Sequence, residues 1–308
     1  MEQDYQKKYL RKYLWLIDTI KRAGYISYNE LNEKWLETEM SEGADLSKRS
    51  LQNWMKAIRK TFQIDIKNDR KGKYCYRIDN EDKLSKDTTT TWLVDTFSVS
   101  NLLLDSRIIK DRIVLECVPS GQEYLSDIIE AMKGNRVINI TYNNYWKGEE
   151  RTYDLEPFCV KLFRQRWYMV ARNPYFEGNN IRIYSLDRIK GLSKTDKTFK
   201  LPKDWDAADF FAFNYGIIAG DGTKAETVKL KVNAGQANYL RDLPLHSSQE
   251  EERNDEYSIF SLYLCPTYDF EQELLSQGDN IEVLEPQWLR EEMADKIRRM
   301  LNKYENEK

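Results

Sequence analysis

Residues 164–172 read RQRWYMVAR. The chain's mean hydropathy is -0.75, so an apolar run studded with arginine has to be explained. Successive side chains of a strand point to opposite faces. One face is then Gln165, Trp167, Met169 and Ala171. The other is Arg164, Arg166, Tyr168, Val170 and Arg172. The first face can enter a core while the second offers guanidinium groups around a phenol. Standing alone, such a strand reads most simply as a solvated sheet face, so its neighbours decide. Strand-like runs occupy 136–142, 152–163, 166–172 and 181–188. Turn signals separate them at Asn143-Asn144, Arg164-Gln165 and 176–180, and a helical stretch over 123–133 precedes them. Short strands at this spacing suggest a small barrel or sandwich.

Upstream, residues 6–23 place Leu10, Leu14, Ile17 and Ile20 at helical spacing, and Gly24 ends that helix. Ser27 with Glu30 three residues later forms a capping box for a second helix containing Leu31 and Trp35. Ser47 opens a third, SKRSLQNWMKAIRKTF, whose apolar stripe is Leu51, Trp54, Met55, Ile58 and Phe62. Two short strands around Asp69-Arg70-Lys71-Gly72 follow as a hairpin with a basic tip. Three helices and a basic hairpin are the order of a winged helix-turn-helix.

Downstream of 224, strands over 227–232, 257–264 and 280–284 alternate with helices over 237–243 and 270–275. This is close to a split βαβ plan. A last amphipathic helix over 287–304 carries Trp288, Leu289, Met293, Ile297, Met300 and Leu301, with basic residues near its end.

The whole chain of 308 residues has a net charge of -3, which gives no global sign of a nucleic-acid binder. Its distribution does. Residues 1–80 hold 17 Lys and Arg against 12 Asp and Glu, a net +5, which leaves -8 for the rest. From Lys48 to Lys73 there are nine basic residues and two acidic ones. On the third helix Arg49, Gln52, Asn53 and Lys56 lie at i, i+3, i+4 and i+7, so one groove could meet all four. Arginine can fork onto guanine and Asn or Gln onto adenine. Ser47, Lys48 and the first-turn N–H groups suit a phosphate, and Lys71 and Lys73 could track the backbone. Duplex DNA is the partner this pattern implies; a solvated basic helix is the alternative.

Cys75, Cys117, Cys159 and Cys265 are far apart, no CxxC exists, and His246 is the only histidine. A Cys/His zinc site is therefore not expected, and no cofactor motif is found. The cysteines read as small buried residues in a reducing cytoplasm. No signal peptide and no run of 18 apolar residues point to a membrane. Asp154 and Glu156, two apart on one strand, could in principle bind Mg²⁺ or act in phosphodiester chemistry. No P-loop, GxSxG or HExxH accompanies them, so the chain is not read as an enzyme.

In this order the residues resemble the WYL-domain transcriptional regulators of bacteria. Trp167-Tyr168-Met169 stands where the family has Trp-Tyr-Leu, and 181–189 (IRIYSLDRI) is similar to its strand ending in Asp-Arg-Ile. Pro157 also fits. Ser47-Lys48-Arg49-Ser50-Leu51 resembles the opening of its recognition helix. The resemblance implies an Sm/SH3-like β-barrel in the middle, a ligand-sensing role, often for nucleic acid or nucleotide, and a homodimer. Carried over by position, the ligand site would use Tyr142, Arg166, Tyr168, Arg182, Tyr184 and Arg188. Between 160 and 190 stand seven basic residues and two acidic ones, and Arg/Tyr pairs on neighbouring strands could bind anions and stack bases.

The expectation is an α+β multidomain chain. A winged helix-turn-helix covers 1–80, a linker and helix 81–112, a WYL-like barrel 113–205, and a ferredoxin-like α+β domain 206–308. Its function would be that of a cytoplasmic, dimeric, ligand-responsive regulator that binds double-stranded DNA. The alternative is an RNA- or single-strand-binding protein whose N-terminal module is a protein contact; a phosphodiesterase comes after it.

Overall fold

The computed structural model of the chain describes residues 2–69, 74–80, 92, 96, 122–145, 148–177, 180–220 and 222–305. It divides into two compact units, Met1–Glu116 and Cys117–Lys308.

In the first unit, helices α1 (Glu2–Ala23), α2 (Tyr28–Leu36) and α3 (Lys48–Phe62) enclose one core. The capping box is present: Ser27 accepts from the Glu30 N–H, and the Glu30 carboxylate accepts from the Ser27 N–H at 2.8 Å. Ser47 Oγ caps α3 by accepting from the Ser50 N–H at 3.0 Å. Both starts follow from the need to satisfy first-turn donors. Leu14, Ile17 and Ile20 meet Leu31, Trp35, Leu51, Trp54 and Ile58 in the core. Trp35 sits edge-on between Trp15 (5.2 Å) and Trp54 (5.3 Å), and its Nε1 donates to the Ala44 carbonyl at 2.9 Å. Burying a side chain of this kind is worth about 1.5–3 kcal/mol. Leu10, Met55 and Phe62 are only partly buried.

A three-stranded antiparallel sheet completes the unit in the order β1 (Ile26–Ser27), β3 (Cys75–Ile78), β2 (Ile66–Asn68). The two-residue β1 has no sequence signal. Asn80 ties the hairpin to the end of α3: its Oδ1 accepts from the Asp65 N–H at 2.8 Å, and its Nδ2 donates to the Gln63 carbonyl at 2.7 Å. The expected basic tip, with Lys71 and Lys73, lies outside the described residues, as does the linker over 81–112 apart from two isolated positions.

In the second unit, α4 (Leu125–Lys133) leads into a five-stranded sheet ordered β7-β6-β5-β4-β8. The strands are β4 (Arg136–Asn144), β5 (Glu149–Phe163), β6 (Arg166–Arg172), β7 (Ile181–Ser185) and β8 (Ile189–Thr198). β5 is the spine. Its first half pairs with β4 and its second half with β6, and the register shifts between Pro157 and Cys159. Proline has no N–H to give a ladder, so it suits a bulge where a strand bends. Ile138, Ile140, Leu155, Met169, Ala171, Tyr184 and Leu186 form the core with Ile128 and Ala131 of α4. Val170, expected on the solvated face of β6, is fully buried too, so the end of β6 is covered on both faces. β8 was not anticipated because Lys190, Lys194, Asp196 and Lys197 hide its period. The Cys159 thiol is pushed up to about 11 by burial, which keeps it protonated.

The chain then runs through β9 (Glu226–Asn233), α6 (Ala234–Asp242), β10 (Glu250–Arg253), β11 (Tyr257–Leu264), α7 (Tyr268–Ser276) and β12 (Ile281–Glu285). A short helix α5 (Ala207–Phe211) comes before them and α8 (Gln287–Glu305) after. The sheet order is β10-β11-β9-β12, with every neighbouring pair antiparallel. β10 is a charged edge strand that the sequence reading missed. His246, the sole histidine, is half-buried: its Nδ1 accepts from the Ser248 N–H at 3.2 Å, and its Nε2 stands 3.0 Å from the Ala212 carbonyl. The stripe of α8 buries only Leu289 and Met293, and leaves Trp288, Ile297, Met300 and Leu301 exposed.

Glu251 on β10 accepts from Arg241 and Ser258, and the Arg241 hydrogen bonds, above all, hold its carboxyl down at about 2 against an ordinary 4.5. A depressed folded-state value contributes stability above the unfolded pKa that is lost as pH falls through the folded one. Acid unfolding of the wild-type protein should therefore show a component between about pH 4.5 and 2, and Glu251→Gln should remove it. Circular dichroism melts over that range check this.

Among the described residues no helix is long and apolar enough to cross a membrane.

Candidate functional site

The apolar stripe of α3 turns its other side outward. Ser47, Lys48, Arg49, Gln52, Asn53 and Lys56 are all exposed. Ser47 is spent on the cap, donating to Ser50 Oγ at 2.9 Å as well. The Lys48 ammonium lies 5.2 Å from the Tyr28 ring centroid. Arg59, one turn further on, is paired with Asp65 at 2.9 Å. Arg49, Gln52, Asn53 and Lys56 make no hydrogen bond or ion pair among the described residues. Four polar side chains in a row on a rigid helix, none committed elsewhere, suit the reading of a surface they are pressed against.

In the second unit, an open cleft of about 580 Å³ lies beside β7. Tyr142, Tyr168, Arg182, Ser185 and Arg188 line one side, and residues 217–220 the other. No carboxylate is among its lining residues. Arg188 ends the 3₁₀ turn Leu186–Arg188 that follows β7. Its guanidinium lies 4.4 Å from the Tyr145 ring centroid. Its Nε is buried with no hydrogen-bond partner, and it forms no ion pair with the nearby Asp187 or with Glu156 among the described residues. Glu156 is taken by Arg172, and Asp187 accepts from Ser185 and stands 3.7 Å from Arg166. An unpaired buried donor is costly to leave unmet, so this corner of the cleft is prepared for an acceptor. The Tyr142 hydroxyl accepts from the Ser185 N–H at 3.2 Å. Burial raises its pKa, and the neighbouring Arg188 works against that rise.

The register decides which of the six residues share a face. Tyr168 is paired with Ser185 and Met169 with Tyr184. Tyr168 therefore shares its face with Ser185 and Ile183, while Tyr184 shares the core face of Met169. Tyr184 is buried, its hydroxyl accepts from Asn173 Nδ2 at 2.6 Å, and burial pushes its pKa up to about 12. It supports the cleft from behind, packing edge-on against Tyr142 at 5.1 Å. Arg182 lies 5.0 Å from the Phe176 ring centroid at the edge of the cleft. Arg166 stays outside the lining. So Tyr142, Tyr168, Arg182 and Arg188 are brought together, and Arg166 and Tyr184 are not.

The opposite wall was not anticipated. Gly216 to Gly220 form a strap between the five-stranded sheet and the four-stranded sheet. Lys161 on β5 donates to the Gly216 carbonyl at 2.6 Å and lies 3.9 Å from the Phe211 ring centroid. Asp269 at the start of α7 accepts from the Ile217 N–H at 2.7 Å and the Ile218 N–H at 3.1 Å. The β5–β6 hairpin tip is fastened to the same helix: Arg164 pairs with Glu273, and both bond the Tyr215 hydroxyl, at 3.2 and 2.7 Å. Arg164 and Gln165 hold φ of 45° and 63° in that two-residue turn. Left-handed backbone costs a side-chain-bearing residue roughly 1–2 kcal/mol, and the ion pair gives the position its purpose.

A Cβ on Gly216 would overlap Asp269 Oδ2 and stand 2.8 Å from Phe163 Cζ. Overpacking of this kind costs about 1–3 kcal/mol. Gly216→Ala should lower the melting temperature of the second unit by roughly 2–10 °C, which differential scanning calorimetry would read. An unchanged melting temperature would mean that the strap is looser than its contacts indicate.

Asp154 and Glu156, the carboxylates weighed for metal chemistry, are each engaged. Asp154 accepts from Asn139 at 2.7 Å and Lys197 at 3.0 Å, and Glu156 pairs with Arg172. Hydrogen bonding, first from Asn139 and then from Lys197, lowers the Asp154 pKa.

Comparison with known families matches residues 123–193 to the WYL domain and residues 224–301 to the WCX domain. Among solved structures the chain is similar to proteasome accessory factor B/C (PafBC) of Arthrobacter aurescens, with 16% identity and a TM-score of 0.35 over 92% of this chain and 45% of that one. It thus spans less than half of that protein's length. It is also similar to a CRISPR Cas-related protein, with 14% identity and a TM-score of 0.41 over 98% of this chain and 85% of the other. No curated protein matches the chain.

Proposed function

We propose that this chain, which matches the WYL domain over residues 123–193 and the WCX domain over residues 224–301, is a ligand-responsive transcriptional regulator. In this reading the N-terminal unit is a winged helix-turn-helix over residues 1–80 that binds duplex DNA. Its third helix, α3, enters the major groove, Arg49, Gln52 and Asn53 read base edges, and Lys48 and Lys56 hold phosphates. The uncommitted polar row on α3 supports it. The five-stranded sheet is an Sm/SH3-like barrel within 113–205. The four-stranded sheet within 206–308, with its β-α-β-β-α-β order, is a ferredoxin-like domain. The protein acts in the cytoplasm as a homodimer.

The observation that carries the ligand reading is the cleft itself: two guanidinium groups, two phenols, one orphaned buried donor and no lining carboxylate. Such a site takes an anion with a planar apolar portion, which is the chemistry of a nucleotide or a single-stranded nucleic acid. Ligand binding shifts the protein between DNA-competent and DNA-incompetent forms, which requires different affinity for the two. The test is binding of the purified protein to the duplex upstream of its own gene, titrated with salt and then with a single-stranded oligonucleotide. Salt-steep duplex binding that responds to the single strand is the expected result. Duplex binding that ignores the single strand would end the ligand reading. Absence of duplex binding would end the DNA reading.

A further inference from the structure

We propose that Asp269, in the C-terminal domain, is the residue that sets the ligand preference of the cleft in the barrel domain, by positioning the strap that forms its apolar wall. The proposal rests on reading the cleft as a site for nucleotide-like anions. The two walls differ in kind. Arg182, Arg188 and the tyrosine hydroxyls can hold an anion, whereas Ile217 and Ile218 offer a ligand only apolar surface. A bare polyanion gains from the first wall alone; a ligand bearing a base gains from both.

The position of the second wall depends on one carboxylate. Four donors converge on it. Oδ2 accepts from the Ile217 N–H (2.7 Å) and the Ile218 N–H (3.1 Å), and Oδ1 from the Thr267 hydroxyl (2.6 Å) and the Phe270 N–H (3.0 Å). Both oxygens are acceptors only in the ionised form. The far side of the strap is held by Lys161 on the Gly216 carbonyl (2.6 Å), and Asn214 Nδ2 donates to the Ile218 carbonyl (2.7 Å). Burial holds the Lys161 pKa below the ordinary lysine range, and Asp269 works against that fall. With no side chain at Gly216, the strap can close on Asp269 and Phe163. An amide at 269 cannot replace the carboxylate. Its NH₂ would face either the two strap N–H groups or the Phe270 N–H beside Thr267, so in either orientation a backbone donor that the carboxylate meets is left unmet and the clamp is weakened.

The experiment compares two probes on the full chain: single-stranded oligothymidylate and an abasic sugar-phosphate oligomer of the same length. Fluorescence anisotropy measures wild type, Asp269→Asn, Ile217→Ala and Arg188→Ala. Wild type should prefer the base-bearing strand. Asp269→Asn should lose about tenfold in affinity for it, equivalent to about 1.4 kcal/mol, while the abasic oligomer binds as before. General damage to the domain would weaken both probes alike, and that result overturns the proposal. Ile217→Ala shortens the wall without touching the clamp and should lose the same preference, which keeps the test decisive should Asp269→Asn fail to fold. Retained preference in a folded Asp269→Asn or in Ile217→Ala overturns the proposal while leaving the cleft reading intact. Oligothymidylate binding unaffected by Arg188→Ala removes the cleft reading, and the proposal with it.

Discussion

Replacing Arg49, Gln52 and Asn53 together by alanine is expected to abolish sequence-specific duplex binding and leave the fold unchanged. The three lie at i, i+3 and i+4 on the exposed side of α3 and are committed to nothing else among the described residues. The helix is held by other means: the Ser47 cap and the burial of Leu51, Trp54 and Ile58. Alanine is a better helix former than the residues it replaces, so the melting temperature should stay within a degree or two of wild type. A well-formed base contact is worth about 1–3 kcal/mol. Loss of three should cost at least about thirtyfold in affinity for the specific site, even if one of them contributes little. The residual binding would be the non-specific kind that Lys48, Lys56 and neighbouring cations provide, with a slope of about 0.9 per neutralised phosphate against salt. Anisotropy titrations on the upstream duplex and on a scrambled duplex, at several salt concentrations, separate the two components. Equal affinity of the triple variant and wild type for the upstream duplex would remove α3 from the interface.

The second large effect is expected at Arg188. Its Nε is buried without a partner, and no ion pair compensates the guanidinium among the described residues. In the unliganded protein that arrangement is a cost, softened by the Tyr145 ring. In a complex with an anion it becomes a charge-assisted bond in a partly desolvated corner. Truncating one partner of such a pair costs about 2–5 kcal/mol, a loss of roughly 30-fold or more in ligand affinity. Arg188→Ala should therefore lose the ligand while its unliganded form melts no lower than wild type, a combination that an ordinary packing residue does not produce. Arg188→Lys should fall between, since it keeps the charge and lacks the fork. Arg166→Ala is the control: Arg166 faces Asp187 and does not line the cleft. Isothermal titration with oligothymidylate alongside thermal melts reads both quantities. Arg188→Ala with wild-type affinity would show that the anion sits elsewhere.

Much of the N-terminal unit was legible in the sequence because its signals are local. Ser27 with Glu30, Ser47 with Ser50, and the stripe from Leu51 to Ile58 operate within one or two turns. The exposed face of α3 follows from the buried one, so Arg49, Gln52, Asn53 and Lys56 could be named without a structure. The same holds for the hairpin turn at Arg164-Gln165 and for strand β6 itself. Elements that carry no local signal were missed. β10 is four charged residues at a sheet edge, where water serves as the other neighbour and no apolar period is needed. β8 hides its core-facing positions, the buried Ile189 and the half-buried Leu192, among lysines. The α8 stripe was overread: its last two turns extend past the core that buries Leu289 and Met293.

What the sequence determined by itself is therefore the elements with a local signal, their caps, and the presence of arginines and tyrosines in the five-stranded sheet. Which of those side chains meet was decided only by the tertiary structure. Side-chain parity along one strand is a property of that strand, but the face it shares with a neighbour is set by register. Here Met169 against Tyr184 sends that tyrosine into the core. The 3₁₀ turn at Leu186–Arg188 then breaks the alternation, so that Leu186 is buried while Arg188 reaches the cleft. The far wall needs Lys161, Gly216 and Asp269, which lie more than fifty residues apart at each step. Only the folded chain brings them within hydrogen-bond distance.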